Sequence, residues 1–275
     1  YYAGALSDYD LLKKADGSYI VSDHRAGAPD GVDTLSNIYQ LQFSDQALLT
    51  AGLKSFSSLS AAEISALSLP LIGALSSGDL ASLTTSQVGG ITASQLSSLT
   101  SAQLGGLSSS QIGALTSVAV GGFTAAEIAG LTSAQLRGLT SVQMGALSAV
   151  AVGGFTSSEV AALTTLQIAG LKSAQIGAIS VGAVSGLTSA GLAALTTAQV
   201  AGLTAGQVSA LSTSQIVVLN SSQIGALSSS GVQGLSAADI SALTTAQFRG
   251  LGASQIGALT NAAIGGLTSA EIASL

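Results

Sequence analysis

An eight-residue phrase repeats without insertion or deletion from Leu59 to the end of the chain, and it limits the possible folds more than any other feature. One copy is LTSAQLRG at residues 131–138, and another is LTTAQFRG at residues 243–250. The first position recurs at every eighth residue from 59 to 275, which defines 27 octads. Position six is apolar in all 27. A period this strict predicts an array in which each unit packs against its neighbours.

The other constrained positions match the pattern of a helix start. Position one is Leu in all but four octads, where it is Ile91, Phe123, Phe155 or Ile179. Position two is Ser, Thr or Asn in 25 octads, and position five is Gln or Glu in 18 and Asp in two more. A hydroxyl residue followed three residues later by Gln or Glu is the capping box, and the flanking apolar pair is the hydrophobic staple. The phrase therefore predicts a new short helix in every octad.

Two alternatives compete with this interpretation. In one continuous helix, eight residues would advance about 80° beyond two turns, so the apolar positions would spiral around the helix and leave no stable face. In a strand, positions one and six would face opposite sides, although a turn between them would restore a β-solenoid. The abundant Ala and the Gln at position five have no evident role in a strand. Because isolated short helices are unstable, each needs neighbours.

The predicted fold is therefore mainly α, a solenoid of very short helices with a small N-terminal β-element, and the alternative is a β-solenoid. The predicted organisation is a β-cap at 1–50, a junction at 51–58 and the octapeptide array at 59–275. A weaker period recurs at every fourth octad, where Ala119, Ala151 and Ala183 replace Gln at position five. It indicates either segmental duplication or a superhelical turn of about four octads.

The first 50 residues carry half of the 20 charged residues of the chain. Alternating stretches predict strands at 9–14, 18–22 and 38–43. Residues 15–17 predict the hairpin turn between the first two strands, and residues 27–31 predict a loop. A β-element of this size buries little surface by itself, so we expect it to cap the first repeats.

Within this head, residues 16–45 contain the phrases DGSYIVSD, DGVDTLSNI and LQFSD. They resemble a segment of large secreted bacterial repeat proteins of the RTX type, and the octads resemble "LTTAQIAGL" arrays of bacterial surface or secreted proteins. The resemblance implies a type I-secreted or cell-surface protein, with an extracellular or bacterial cell-surface location. The calcium-binding GGxGxD nonapeptides of RTX proteins are absent from this sequence.

Composition narrows the classes of partner. Charged residues make up 7 % of the chain and the net charge is −6, so no basic patch for nucleic acid is expected. Polar residues interrupt every octad, so no apolar run approaches the ~18 residues that span a bilayer, and we expect no membrane insertion. There is no Cys, which excludes disulfides and thiolate metal sites. Low charge repulsion favours self-association, so the expected partners are copies of the chain, as a homo-oligomer or filament.

Few residues suggest chemistry. Asp23, Asp30 and Asp33 are the best calcium candidates, because carboxylates with backbone carbonyls are the ligands that Ca²⁺ prefers, although turn chemistry explains these residues more simply. His24 is the only histidine, and we interpret it as a surface residue.

Four acidic residues occupy the capping-box position, where Glu replaces Gln and needs no catalytic role: Glu63, Glu127, Glu159 and Glu271. No carboxylate pair, nucleophilic triad or phosphate loop is evident. We therefore expect no catalytic residues, no cofactor and no enzyme activity.

The sequence supports three hypotheses about function. The first is an extracellular structural protein that forms or contributes to a self-assembling fibre, surface layer or matrix. The second is an adhesin or surface-binding module, in which the row of hydroxyls at position two contacts cell-surface polysaccharide or ice. The third is a passive spacer within a giant secreted adhesin.

Overall fold

The computed structural model describes residues 1–50 and 53–273, and within them the chain is mainly helical. It divides into two compact units, Tyr1–Phe123 and Thr124–Leu275. One short helical segment occurs in each octad, which confirms the predicted solenoid of short helices, and the β-solenoid alternative is wrong for the described residues. No helix among these residues combines the length and hydropathy needed to cross a bilayer.

The head forms two small antiparallel sheets. The first has the order β1-β2-β3, from β1 (Tyr9–Lys13), β2 (Tyr19–Asp23) and β3 (Val32–Leu35). The second pairs β4 (Gln40–Gln42) with β5 (Ala47–Leu49). All five residues of β2 are buried: the strand lies between its two partners, Val21 packs against Leu41 and Phe43, and the helix Leu69–Gly73 also contacts it. Tyr9, Val21, Leu41 and Phe43 form the small apolar core that joins the two sheets.

The predicted head is correct at its first hairpin and incomplete beyond it. β1 and β2 pair antiparallel as a hairpin, and Gly17 takes a positive φ of 85° in the predicted turn. The predicted strand at 38–43 is shorter, at 40–42, and belongs to the second sheet. β3 has four residues and β5 has three, which is too short for alternation to identify them, and pairing with a neighbour makes them extended. In the predicted junction, Ala51 and Gly52 lie outside the described residues, and Phe56–Ser58 forms a 3₁₀ turn.

Among its described residues, the first unit contains eight short α-helices. They are α1 (Ala61–Ser65), α2 (Leu69–Gly73), α3 (Ser77–Ala81), α4 (Thr85–Val88), α5 (Ala93–Leu96), α6 (Ser101–Leu104), α7 (Ser109–Ala114) and α8 (Ser117–Val120). Pro70 lies in the first turn of α2, where its missing N–H breaks no helical bond.

The helices continue in the second unit in the same manner. They are α9 (Ala125–Ala129), α10 (Ser133–Leu136), α11 (Ser141–Ala146), α12 (Ala149–Val152), α13 (Ser157–Ala162), α14 (Thr165–Gly170), α15 (Ser173–Ala178), α16 (Val181–Val184), α17 (Ser189–Ala193), α18 (Thr197–Val200), α19 (Ala205–Ala210), α20 (Thr213–Ile216), α21 (Ser221–Ile224), α22 (Ala237–Ala242), α23 (Thr245–Phe248), α24 (Ala253–Ile256), α25 (Asn261–Ile264) and α26 (Ser269–Ile272). The octad between α21 and α22 forms a 3₁₀ turn instead, Gly231–Gly234.

Each octad uses its positions in the same way. In the octad at 131–138, the hydroxyl of Thr132 accepts a hydrogen bond from the backbone N–H of Gln135 at 3.2 Å, and the Gln135 side chain accepts one from the Thr132 N–H at 2.9 Å. The capping box therefore has the predicted geometry. Leu131 and Leu136, the staple pair, are buried. Positions one, five and six thus form the interior, and positions two to four lie mostly at the surface.

Glycine at position eight lets neighbouring turns of the coil approach closely. A Cβ on Gly186 would collide with the carbonyl oxygen of Ser157 in an earlier octad, and a Cβ on Gly90 would collide in the same way with that of Ala61. Stacked helices accordingly lie three octads apart, as in the pairs α1 with α4 and α11 with α14. The missing side chain is therefore a packing requirement, because the backbone atoms have no room to retreat in a dense interior.

We expect Gly186→Ala to lower the free energy of unfolding by about 1–3 kcal/mol, because the new methyl group overpacks a backbone contact. Gly182→Ala is the matched control in the same octad. A Cβ there meets nothing within 4 Å, and Ala favours a helix over Gly by up to about 1 kcal/mol. Urea unfolding followed by circular dichroism measures both variants. Equal effects of the two substitutions would contradict the packing argument.

Candidate functional site

The most distinctive chemical feature of the array is a series of buried glutamines at position five. Gln167 is 3 % exposed. Its Oε1 accepts a hydrogen bond from the Thr164 N–H at 3.0 Å, which closes the capping box. Its Nε2 donates to the carbonyl oxygens of Leu136 and Leu139, both at 2.8 Å. One amide thus caps the start of its own helix and bonds to carbonyls at the end of an earlier one.

The same pattern recurs in both units. Each of these glutamines donates to the carbonyl oxygen 28 residues earlier: Gln87, Gln95, Gln103, Gln111, Gln167, Gln175, Gln199, Gln207, Gln215, Gln223, Gln247 and Gln255. Many also reach a carbonyl 30 or 31 residues earlier, as Gln95 reaches Ser65 and Ile64. We call this series the glutamine ladder. Since its bonds join an octad to the third and fourth octads before it, one turn of the coil contains between three and four octads.

The first octads have no earlier turn to bond to, and their position-five residues differ accordingly. Glu63 pairs with Lys54, with 2.6 Å between Oε1 and Nζ. Asp79 pairs with Lys14 of the head, with 2.9 Å between Oδ2 and Nζ. Leu71, between them, is buried. The ladder begins at the next octad, where the acceptors are carbonyls of the junction and of the first octad. Lysines of the head and junction therefore pair with the position-five carboxylates of the first turn.

Four carboxylates occupy position five farther along and interrupt the ladder: Glu127, Glu159, Asp239 and Glu271. Asp239 accepts hydrogen bonds from Ser236 through one oxygen and from the Thr213 hydroxyl through the other, at 2.7 Å. Glu159 is 5 % exposed, and its Oε2 accepts from the Thr156 N–H at 2.7 Å. Its Oε1 has no hydrogen-bond partner, which is rare for a buried oxygen. If residue 159 were a glutamine, the residue spacing of the ladder would place carbonyl oxygens of two earlier octads within reach of its side-chain N–H groups.

The head contains a second polar cluster, centred on Arg25. Its guanidinium donates to both carboxylate oxygens of Asp23, from Nε at 3.0 Å and from Nη2 at 2.7 Å. Nη2 also lies 2.9 Å from Asp30 Oδ2 and 2.7 Å from the Tyr9 hydroxyl. The Arg25 hydrogen bonds lower the pKa of Asp23, and the Tyr9 hydroxyl is the largest cause of the lowered pKa of Asp30. Burial raises the pKa of Tyr9. The cluster holds the 23–31 loop against β1.

The structure places the three calcium candidates in different environments. Asp23 and Asp30 both face Arg25, so the guanidinium lies where a shared cation would bind. Asp33 accepts a hydrogen bond from the Tyr2 hydroxyl at 3.0 Å. In the described part of the chain, no group of three or more His, Asp or Glu side chains is arranged to hold a metal ion. Calcium binding stays a prediction.

The only histidine lies on the surface of the head, as the sequence analysis interpreted it. His24 is half exposed, and its Nδ1 lies 3.9 Å from Asp10 Oδ1. Its backbone N–H donates to the carbonyl oxygen of Asp8. These contacts belong to the packing of the loop beside β1.

The comparison with protein families identifies the repeat that forms the array. The sequence matches the ALTTAQ repeat at residues 72–108, 168–205, 184–213, 205–237 and 232–269, which together cover 139 of the 275 residues. The chain belongs to the ALTTAQ-repeat family. This membership indicates a repeat-containing structural protein, and the matched residues all lie within the octads. The comparison with curated proteins returned no match.

The capping box predicts the role of position five at the start of its own helix, but not its bonds to the earlier turn. Two signals in the sequence point to them. No glutamine occupies position five before Gln87, which lies 28 residues after Leu59. Ala119 replaces the glutamine in its own octad and lies 28 residues after Ile91. Ile91 is one of the four position-one residues that are not Leu. Both intervals equal the span of the ladder bonds.

We expect Gln167→Glu to lower the free energy of unfolding by about 2–3 kcal/mol. A carboxylate keeps the capping acceptor but removes the N–H groups that bond to Leu136 and Leu139. Glu159→Gln is the reverse change at the neighbouring octad, and we expect it to raise the free energy of unfolding by about 1–2 kcal/mol, since it supplies donors to two carbonyls. Chemical denaturation at neutral pH measures both. If both variants shift stability in the same direction, the ladder is not the cause.

The contact between Lys54 and Glu63 predicts a pH dependence. The pKa of Glu63 is lowered to about 2, first by the hydrogen bond from Lys54 and then by those from Ser60. A carboxylate with a lowered pKa stabilises the fold above its unfolded pKa, near 4.5, and this contribution is lost as the pH falls through the folded pKa. The difference in melting temperature between the native chain and Glu63→Gln should therefore be constant above pH ~4.5 and shrink towards pH ~2. A difference that does not change with pH would refute this assignment.

Proposed function

We propose that the chain is an extracellular structural protein of bacterial origin, which contributes to a self-assembling fibre, surface layer or matrix. The observation that carries the proposal is the glutamine ladder. Within each unit, successive turns bond to earlier ones through the same buried amides, so the array extends by nearly identical steps. The repeated chemistry of the octads is used to hold the fold together. We therefore assign the array no enzymatic role.

The surface of the array supports self-association. Charge is sparse over the whole chain, and exposed positions are mainly Ser, Thr, Ala and Gly. In the second unit, three large apolar side chains are exposed at position four of their octads: Val142 at 70 %, Val150 at 74 % and Leu166 at 74 %. Val142 and Leu166 belong to the stacked helices α11 and α14. Exposed apolar neighbours on a weakly charged surface favour contact between copies.

The hydroxyls at position two are less suited to ligand binding than the sequence alone indicates. The Thr132 Oγ1 accepts from the Gln135 N–H at 3.2 Å and donates to Gln135 Oε1 at 3.0 Å. Since the cap uses the donor and an acceptor of each hydroxyl, a row of such hydroxyls has little hydrogen-bonding capacity left for ice or polysaccharide. This geometry favours a scaffold over an adhesive face at position two.

The extracellular location rests on the resemblance of residues 16–45 to secreted bacterial repeat proteins. The small head and its contacts with the first turn suit a module that covers the start of an array. Antibody labelling of intact, non-permeabilised source cells tests the location. Labelling only after permeabilisation would count against secretion or surface display.

We expect the purified chain to form assemblies whose mass increases with protein concentration, measured by sedimentation velocity and viewed by electron microscopy. A charge at the apolar pair should weaken assembly, so Val142→Lys with Leu166→Lys is the test variant. The control is Ser158→Lys, which adds a charge at the same octad position, where the native side chain is small and exposed. A monodisperse monomer at high concentration would overturn the structural proposal.

A further inference from the structure

A cavity of about 420 Å³ opens on the head, away from the Arg25 cluster. Its lining includes Lys13 at the end of β1, Tyr19 at the start of β2, and Asn37 and Tyr39 in the connection between β3 and β4. The volume lies within the range of about 300–1,000 Å³ that small-molecule sites occupy. Neither the glutamine ladder nor the contacts of the head with the first turn use these four side chains.

An exposed tyrosine forms one wall of this cavity. Tyr39 is 87 % exposed, although its neighbours in the head core are buried. Asn37 takes a left-handed backbone conformation, with φ of 57°. A non-glycine residue in this region is uncommon and points to a constraint on the loop. The Asn37 turn carries Tyr39 to the mouth of the cavity, where its ring presents a large flat apolar surface with a polar edge.

On the other wall of the cavity, the Lys13 ammonium lies beside a second aromatic ring, that of Tyr19. The Lys13 Nζ lies 5.7 Å from the centroid of the Tyr19 ring, and it forms no ion pair with a carboxylate in the described residues. Asp16 also lines the cavity; its Oδ1 accepts from both the N–H and the hydroxyl of Ser18, and its Oδ2 lies 4.0 Å from the Lys14 Nζ. The cavity therefore offers the Lys13 ammonium and the Asn37 amide to a ligand, together with the open Tyr39 ring.

We propose that this cavity binds a saccharide. A sugar ring has an apolar C–H face that packs on an aromatic ring and hydroxyls around its rim that bond to amide and ammonium groups. A nucleotide fits less well, since a single lysine stands beside Asp16 in a chain of net charge −6. The site goes beyond the structural role and would tether the array to a glycan surface through its head rather than through the hydroxyls at position two.

The test is binding of the full chain to an array of neutral, amino-sugar and uronic-acid oligosaccharides, followed by titration calorimetry with the oligosaccharide retained best. We expect retention of at least one class, and Tyr39→Ala should weaken its binding about five- to tenfold, the value of one aromatic stacking contact. Lys13→Ala should weaken uronic-acid binding more than neutral binding if the ammonium pairs with the sugar carboxylate, and both equally if it bonds to hydroxyls.

The matched control is Tyr1→Ala, since Tyr1 is another exposed tyrosine of the head and does not line this cavity. Circular dichroism checks that each variant is folded, and removal of an exposed ring should leave the fold intact. Absence of binding to every class, or equal losses in Tyr1→Ala and Tyr39→Ala, would overturn the proposal. Neither result bears on self-assembly, which is measured separately.

Discussion

The fold of the array depends on one interaction, the buried side-chain amide that bonds in two directions. A helix of four to six residues leaves most of its backbone N–H and C=O groups without intrahelical partners. The Gln167 carbonyl satisfies an N–H at the start of its own helix, and its NH₂ group satisfies two carbonyls about one turn earlier. Without such bonds, the carbonyls that the amides now reach would be left unsatisfied in each octad that they contact. The ladder is therefore the reason that helices this short can be stacked.

This requirement also explains the exceptions. Where no earlier turn exists, Asp79 and Glu63 replace the amide, and their carboxylates accept from lysines of the head and junction. Where a carboxylate occurs later, the bond must come from elsewhere, as Thr213 provides for Asp239. The unpartnered oxygen of Glu159 marks a local weakness in the interior. The charges of the array are thus placed according to the donors available to them.

The head is stabilised by contacts different from those of the array, and we propose a different role for it. It is held by aromatic packing of Tyr2, Tyr9 and Phe43 and by the Arg25 ion pairs, and it presents exposed tyrosines that the array lacks. Specific recognition is better suited to such an irregular element than to a periodic surface of small residues, because binding needs a unique arrangement of groups. We therefore place extension in the octads and ligand contact in the head.

By itself, the sequence determined that a helix begins in every octad, because the capping box and staple are local and their partners lie close together in the chain. It also determined the first hairpin of the head, through the Gly17 turn. Only the tertiary structure decided how many octads make one turn, which carbonyls the amide of Gln167 reaches, and that Arg25 lies between Asp23 and Asp30. Those contacts join residues far apart in the chain, and an octapeptide period is compatible with many ways of coiling. The longer intervals that recur in the sequence are explained only by the hydrogen bonds between successive turns.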